Sequence, residues 1–241
     1  MKRLLWTLLA LLSGSAGALK TQELTVNGVV YRVVTLDPKR DDLRLYWQQP
    51  GDGGPLTSFA DLRGLLASRG QTLLFATNSG IFAPGLKPLG LHVERGLTLR
   101  PLNPATRGGN FALRPNGVFW LDRGRAGVTE TRAYQKLNLK PDYASQSGPL
   151  LVQGGQLHPA FVKGSLNLAT RSGVGVCGGG AVKFALSLAP VNFYDFARAF
   201  RDTLGCPDAL YLDGNLSSLY TPAWGDSQLA QYAGIWAVVG K

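Results

Sequence analysis

Short stretches in which apolar and polar residues alternate recur along the chain and predict β-strands. Residues 24–26 and 29–34 flank Asn27-Gly28, a pair that favours a two-residue type I′ turn, so this segment predicts a hairpin. The other predicted strands lie within residues 43–47, 72–77, 91–93, 118–121, 150–152, 176–188, 209–212 and 233–239. Strands therefore predominate, with glycine, proline and asparagine turns between them.

Two segments carry helical spacing instead. Ser58 begins the first as an N-cap with Asp61 at the third position, and Gly70 ends it. Asn192 and Asp195 form a similar capping pair before an apolar face, and Gly205 ends that helix. The pattern predicts a single α+β domain of mixed or largely antiparallel layered sheets flanked by helices.

The first eighteen residues have the order of a secretory signal. Lys2 and Arg3 precede a nine-residue apolar run at positions 4–12, and Ala16-Gly17-Ala18 forms a small-residue cleavage site. A membrane anchor is disfavoured, because a bilayer span needs about 20 residues. We expect cleavage after Ala18, no stable membrane insertion afterwards, and a mature domain of residues 19–241 in the periplasm or outside the cell.

The charge of the chain is strongly basic. Lys2 and Arg3 leave with the signal, so the formal charge of +10 falls to +8. Such a protein is attracted to anionic material such as phosphorylated glycans, lipid head groups or envelope polymers, although a charge that serves only solubility is equally compatible. Nucleic acid is disfavoured, because no basic run with interleaved aromatic residues is present.

The two cysteines, Cys177 and Cys206, leave two readings open. An even pair in an oxidising compartment is a disulfide candidate, and two buried free thiols are the alternative. No Cys/His cluster has zinc spacing, and no D-x-D-x-D-G motif demands calcium. No cofactor is firmly implied, and a divalent cation beside Asp213 stays open.

Three polar segments that follow hydrophobic stretches are the candidate chemical sites, at residues 78–80, 171–175 and 213–218. Glycines allow close approach to a ligand, an arginine can form a paired fork on phosphate, and an aspartate at a strand end can act as base or nucleophile. Each segment alone is also compatible with an ordinary turn. Arg171 could instead pair with a surface carboxylate.

Together with the Ser147-Gly148-Pro149 segment, these stretches resemble the phosphodiester glycosidase family in order and spacing. The matching stretches are Asn78-Ser79-Gly80-Ile81-Phe82, Ser147-Gly148-Pro149-Leu150-Leu151-Val152, Arg171-Ser172-Gly173-Val174-Gly175 and Leu210-Tyr211-Leu212-Asp213-Gly214. The resemblance is nearest to the family's bacterial exported branch. It implies a cleft formed by these segments and cleavage of an anionic sugar-1-phosphodiester. Asn78, Gly80, Arg171, Asp213 and Gly214 match its signature positions.

The resulting hypothesis assigns three catalytic roles. Arg171 holds the phosphoryl oxygens, Asn78 orients a sugar or phosphate oxygen, and Asp213 acts as base or nucleophile at the anomeric carbon. The predicted substrate-binding residues are Gly80, Gly148, Gly214, Ser217 and Ser218. Glycosidases normally use two carboxyl groups, for which Asp195 and Glu94 are the candidates, although a phosphodiester leaving group is already acidic.

Two alternatives compete with this hypothesis. A serine hydrolase is disfavoured, because the chain lacks a G-x-S-x-G elbow and only His92 and His158 could serve as base. A non-catalytic module that binds envelope glycan or phospho-polymer stays open. In that reading Trp47, Trp120 and Trp224 would be exposed platforms on which sugar rings stack.

Overall fold

The computed structural model describes residues 19–49 and 54–241. The predicted signal segment lies outside the described residues, so its cleavage stays a prediction. Among the helices of the described part, none is long and apolar enough to span a bilayer.

Antiparallel pairing joins the described strands into three main sheets and one short ribbon. In chain order the strands are β1 (Lys20–Val26), β2 (Val29–Leu36), β3 (Leu43–Tyr46), β4 (Thr72–Asn78), β5 (Phe82–Ala83), β6 (Lys87–Pro88), β7 (His92–Glu94), β8 (Leu97–Arg100), β9 (Gly117–Asp122), β10 (Arg125–Glu130), β11 (Tyr143–Ser147), β12 (Leu150–Gln153), β13 (Gln156–Leu157), β14 (Ser172–Val176), β15 (Val182–Ser187), β16 (Asp208–Asp213), β17 (Leu219–Thr221), β18 (Gly225–Asp226) and β19 (Ile235–Gly240). The helices are α1 (Phe59–Ala67), α2 (Thr131–Lys136) and α3 (Phe193–Arg198), with a π-turn at Ala199–Thr203 and short 3₁₀ turns at Asn110–Ala112 and Gly178–Gly180.

The order of strands in each sheet brings distant parts of the chain together. The seven-stranded sheet runs β1-β2-β15-β14-β16-β12-β13, and the two five-stranded sheets run β10-β9-β11-β7-β8 and β18-β17-β4-β19-β3. The strands β5 and β6 form the ribbon. As a result β14 and β16 lie side by side in one sheet, whereas β4 is the central strand of another.

Local sequence accounts for the hairpin and for the helix starts. Asn27 and Gly28 both have positive φ, at 49° and 79°, as the predicted type I′ turn requires. Ser58 and Asp61 form a complete capping box on α1. The Asn192 side chain accepts the amide N–H of Asp195 at the start of α3. These elements lie where the sequence predicts them.

The hydrophobic core has layers that match the predicted class. One apolar layer lies between the seven-stranded sheet and the other sheets, where Phe119 packs edge-on against Phe184 and Trp236. A second layer lies between the opposite face of the seven-stranded sheet and α3, and a third packs α1 against the sheet that contains β4. The α+β fold of layered, largely antiparallel sheets is confirmed.

The structure corrects the prediction that residues 171–175 form a polar loop. Ser172–Val176 is a strand in the middle of the seven-stranded sheet. Its glycines serve packing: a Cβ on Gly173 would lie 3.0 Å from Leu210 O, and one on Gly175 would lie 2.9 Å from the Cys206 side chain. Glycine here permits close approach of protein rather than of a ligand.

The proposed aromatic platforms are also revised. Trp47 is buried and its Nε1 donates to Leu86 O at 3.0 Å, so its prediction as an exposed platform is wrong. Trp120 and Trp224 are partly buried. The Trp120 Nε1 donates to Thr129 Oγ1, and Arg32 lies over the Trp224 ring at 5.1 Å. These rings are already engaged by protein groups.

Cys177 and Cys206 form a disulfide in the structure. It links the residue after β14 to the turn that follows the π-turn, across 29 positions of sequence. The bond ties the core strand β14 to the helical layer.

Candidate functional site

Three segments far apart in sequence meet at one point between two sheets. Ser172 pairs with Asp213 across the β14–β16 ladder, and its hydroxyl donates to Asn78 Oδ1 on the facing sheet at 3.1 Å. Ser217 Oγ lies 2.8 Å from Ser172 Oγ and 2.7 Å from the Asp213 carbonyl oxygen. Ser218 completes this group, which we call the Asn78–Asp213 cluster and which consists of Asn78, Ser172, Asp213, Ser217 and Ser218.

The orientation of the Asn78 side-chain amide is fixed by its partners. The backbone N–H of Ser218 lies 3.2 Å from the atom assigned as Asn78 Oδ1. Because a backbone N–H can only donate, that atom must be the amide oxygen. The Asn78 side chain is 1% exposed, and its Nδ2 has no acceptor in the part of the chain that the structure describes. Because unpaired buried donors are costly, this group is a strong candidate for binding a ligand oxygen.

Asp213 provides the carboxyl group of the cluster. It is the last residue of β16, and the strand end holds it in a partly buried position. Burial raises the pKa of Asp213 to about 6. The amide N–H of Gly214 donates to Oδ1 at 2.7 Å, and this hydrogen bond acts in the opposite direction by lowering the pKa. A carboxyl group with such a pKa exchanges its proton near neutral pH, as acid–base catalysis requires.

Arg171 is buried and hydrogen-bonded to main-chain carbonyl groups, and its predicted contact with phosphoryl oxygens stays a prediction. It is 1% exposed; its Nε donates to Val191 O at 2.7 Å and its Nη2 to Asn167 O at 2.8 Å. The guanidinium carbon stacks 3.6 Å from the Phe193 ring centroid. No carboxylate pairs with it among the described residues.

Strand geometry explains this placement. Successive side chains alternate between the faces of a sheet, so Ser172 faces Asn78 and Arg171 faces the α3 layer. The guanidinium still lies near the site, because its Nη1 is 3.4 Å from Tyr211 Oη, and a Cβ on Gly214 would lie 2.8 Å from that same hydroxyl. Arg171 thus supports the Asp213-Gly214 turn through Tyr211.

The predicted glycines allow close packing of the backbone. Gly80 has φ of +154°, and a Cβ there would lie 3.0 Å from Ser147 Cβ. The Ser147 hydroxyl in turn donates to Leu212 O at 2.9 Å, which joins this segment to β16. A Cβ on Gly148 would lie 2.6 Å from Asn116 Cβ, so Gly148 is packed against protein.

The other predicted candidates bind to groups outside the cluster. Asp195 is bonded to Asn192 as a helix cap, and Glu94 accepts from His92 Nε2 at 2.9 Å. His158 stacks on Phe161 with ring centroids 4.7 Å apart. None of these four has a hydrogen bond to the cluster in the described part of the chain.

Two residues near the cluster were missed in the sequence, Asp226 and Tyr232; Asp226 precedes Ser227, whose Oγ lies 2.9 Å from Ser218 Oγ. The pKa of Tyr232 is raised to about 12, mainly by burial, with the carboxylates of Asp226 and Asp213 both adding to the rise. Asp226 Oδ1 is buried and has no donor within the described residues. Both residues line a cavity of about 280 Å³, together with Phe59, Gln228 and Leu229. The sequence carries no motif for them, because they lie in a segment of irregular pattern.

The described residues contain no group of three or more His, Cys, Asp or Glu side chains that could hold a metal ion. The polar side-chain groups of the cluster are instead one carboxyl, one amide and three hydroxyl groups. Such a set suits hydrogen bonding to sugar and phosphate oxygens.

Comparisons with known proteins identify the family to which the chain is similar. The family model described as phosphodiester glycosidase matches residues 71–232. The uncharacterized protein YigE of Escherichia coli (strain K12) is 35% identical over 219 residues, which cover 89% of this chain and 82% of that protein.

Solved structures show the same fold. The catalytic domain of zebrafish N-acetylglucosamine-1-phosphodiester alpha-N-acetylglucosaminidase, auto-inhibited by its pro-peptide, superposes with a TM-score of 0.59 at 14% identity, over 94% of this chain and 84% of that one. A hypothetical protein from Synechocystis gives a TM-score of 0.56 at 15% identity, over 92% of this chain and 62% of that one. At these identities the likeness is one of fold alone.

Proposed function

The chain belongs to the phosphodiester glycosidase family, and from this premise we propose that it hydrolyses the bond between the anomeric carbon of a sugar and the oxygen of a phosphodiester. The support is the meeting of the family-like segments at the Asn78–Asp213 cluster. The zebrafish relative is named for this chemistry on N-acetylglucosamine. For the present chain the proposal names the reaction and not the sugar.

One observation carries the proposal. Asp213, whose carboxyl is desolvated, and Asn78, whose Nδ2 has no acceptor among the described residues, belong to one hydrogen-bonded cluster, which Asp213 joins through its main-chain carbonyl oxygen. The amide donors would hold a substrate oxygen, and the carboxyl would act on the carbon beside it. Fixed donors and acceptors of this kind are what positioned catalysis requires.

Asp213 is the proposed base. It takes a proton from water as the water oxygen bonds to the anomeric carbon, and the bond from that carbon to the phosphate oxygen breaks. The phosphomonoester leaves with the bonding electron pair. Because this leaving group is a stable anion, a strong general acid is not required. If Asp213 attacks the carbon as a nucleophile instead, the product retains the anomeric configuration, whereas the base mechanism inverts it.

Asp226 replaces Asp195 and Glu94 as the proposed second carboxylate. It acts, together with Asp213, on the pKa of Tyr232, and its Oδ1 accepts no hydrogen bond from the described residues. Asp226 also lines the cavity of about 280 Å³. Asp195 and Glu94 are occupied by Asn192 and His92 respectively.

The buried Arg171 is proposed as a positioning residue. With no ion-pair partner among the described residues, its charge favours an anion in the neighbouring site without touching it. Its hydrogen bonds hold the layer on which the Asp213-Gly214 turn rests.

The proposal includes export from the cytoplasm. The signal-like order of residues 1–18 supports it, and a disulfide is typical of proteins that work in oxidising compartments. Mass spectrometry of the secreted or periplasmic protein tests it. A mature N-terminus at residue 19 is expected, and an intact Met1 in a cytoplasmic fraction would contradict it.

The decisive experiment is a substrate screen with purified residues 19–241. Methyl phosphodiesters of several sugar-1-phosphates and nucleotide sugars are incubated with and without a chelator, and free reducing sugar and phosphomonoester are measured. We expect both products in equal amounts. Binding of purified envelope glycan or phospho-polymer with no release of sugar would favour the non-catalytic module instead.

A further inference from the structure

Exposed aliphatic side chains are concentrated on loops beside the Asn78–Asp213 cluster. The described residues include eight large hydrophobic side chains that are exposed, and five of them lie on these loops. They are Val162 (66% exposed), Leu166 (92%), Leu168 (55%), Leu216 (46%) and Leu229 (92%), which we call the apolar rim. Single exposed apolar residues need no explanation, but a group of them around a site marks an interaction surface.

Contacts connect each loop of the apolar rim to the site. Asn167, between two rim leucines, accepts from the Arg171 guanidinium through its carbonyl at 2.8 Å. A Cβ on Gly214 would lie 3.9 Å from Ala169 Cβ, next to that same loop. Gln228 Nε2 donates to Asn215 O at 3.1 Å, which holds the loop of Leu229 against the loop of Leu216. The rim loops therefore adjoin the cluster.

The rim loops carry basic charge, whereas the carboxylates of Asp213 and Asp226 lie at the ends of two of these loops. Lys163 follows Val162 directly and is exposed. Arg107 is exposed in the loop that leads to Asn110, whose side chain reaches the Tyr211 hydroxyl. Residues 159–170, 214–218 and 227–234 contain no aspartate or glutamate. Neither basic side chain forms an ion pair within the described part of the chain.

We propose that the apolar rim docks on the surface of an anionic lipid membrane, with its aliphatic side chains among the acyl chains and Lys163 and Arg107 at the head groups. Exposed leucines beside basic residues are typical of interfacial binding. Protein interfaces, in contrast, are enriched in tyrosine, tryptophan and arginine, and the rim itself is wholly aliphatic.

This placement identifies a substrate class, an inference that rests on the proposed function. A site opening at the membrane surface would receive a sugar-1-phosphodiester whose other ester carries a lipid. The phosphodiester would then lie at head-group depth, level with the Asn78–Asp213 cluster. Membrane docking itself does not depend on catalysis, so the two can be tested apart.

Vesicle co-sedimentation tests the docking. Residues 19–241 are mixed with vesicles of phosphatidylglycerol and phosphatidylethanolamine, and separately with phosphatidylcholine vesicles. We expect binding to the anionic vesicles that weakens as salt is raised. The double variant Leu166→Ser/Leu229→Ser should bind about tenfold less, because it removes two aliphatic groups from the contact. The matched control is Leu97→Ser/Leu137→Ser, which changes two exposed leucines outside the rim loops and should bind as the parent does.

Several outcomes would overturn the docking. They are the absence of vesicle binding, equal binding by the rim variant and the parent, or binding to a soluble glycan polymer but not to vesicles. Thermal unfolding of each variant shows that the fold is retained. Asp213→Asn separates the two proposals, because it should bind vesicles fully. Vesicle binding without hydrolysis of any sugar phosphodiester would leave docking in place and refute the proposed function.

Discussion

Ser172 and Asn78 belong to different sheets, yet the hydroxyl of the first donates to the amide oxygen of the second at 3.1 Å. This hydrogen bond links the two facing sheets. On one side it continues to Ser217 and the Asp213 carbonyl, and on the other Asn78 is fixed by the N–H of Ser218. The site is therefore held by side-chain hydrogen bonds between the two sheets, which end on the Asp213 carbonyl oxygen and the Ser218 N–H, and fixed groups of this kind give the rigidity that catalysis needs.

Asp213→Asn tests the catalytic carboxyl. The amide keeps the shape and can still accept the Gly214 N–H, but it cannot take a proton from water. We expect kcat to fall by about 100-fold or more, with a small change in KM. The measurement is sugar release from the best substrate in the screen. Asp208→Asn, at the other end of the same strand, is the control and should retain activity. Normal turnover by a folded Asp213→Asn protein would exclude the role.

The pH dependence of the reaction follows from the same group. Burial raises the pKa of Asp213 to about 6, and a base must be ionised to act. We therefore expect kcat/KM to fall as the pH drops below about 6, with one proton taken up. The profile is measured from pH 4 to 8 with a substrate whose phosphate does not titrate in that range. A flat profile through pH 5 would contradict the assignment.

Asn78→Asp tests the free amide donors. The substitution keeps an oxygen for Ser172 and Ser218 but replaces Nδ2 with a second carboxylate oxygen, which repels an anionic substrate. We expect kcat/KM to fall by about 100-fold, mainly through KM. Asn215→Asp adds the same charge in the neighbouring exposed loop and serves as the control. Equal losses in the two variants would mean that charge alone, and not the Asn78 donors, matters.

Much of the fold and part of the site could be predicted from the sequence, for separate physical reasons. The Asn27-Gly28 turn and the Ser58 capping box are local, because a few neighbouring residues determine them. The carboxyl at position 213 follows from its place at a strand end. The face of the sheet on which the Arg171 side chain lies could not be predicted, because it depends on whether residue 171 precedes a core strand or lies in a loop. Asp226 and Tyr232 come near the cluster only through the tertiary fold, which places Ser227 Oγ 2.9 Å from Ser218 Oγ.

Arg171→Met tests the buried arginine. Methionine fills part of the space over Phe193 but leaves Val191 O and Asn167 O without donors. We expect the free energy of unfolding to fall by about 3 kcal/mol. Urea denaturation measures this change. If the charge also favours a bound anion, KM rises in Arg171→Met more than in Arg171→Lys, which keeps the charge. An unchanged KM in a folded Arg171→Met protein would limit the residue to stability.

Ionisation of Asp213, which the proposed activity requires, should lower the stability of the folded protein. The pKa of this carboxyl is raised in the folded state, so the folded protein binds the proton more tightly than the unfolded chain does. The protonated form therefore stabilises the fold fully below the unfolded pKa of about 4, and this contribution is lost as the pH rises through about 6. At pH 7 the ionised carboxyl costs about 3 kcal/mol by this linkage, and Asp213→Asn, which carries no charge, removes that cost. We expect the variant to unfold at a higher urea concentration than the parent at pH 7.5, with the difference shrinking towards pH 4. A variant that is less stable than the parent at pH 7.5 would show that the carboxylate is well solvated or paired, and the proposed desolvated base would have to be abandoned.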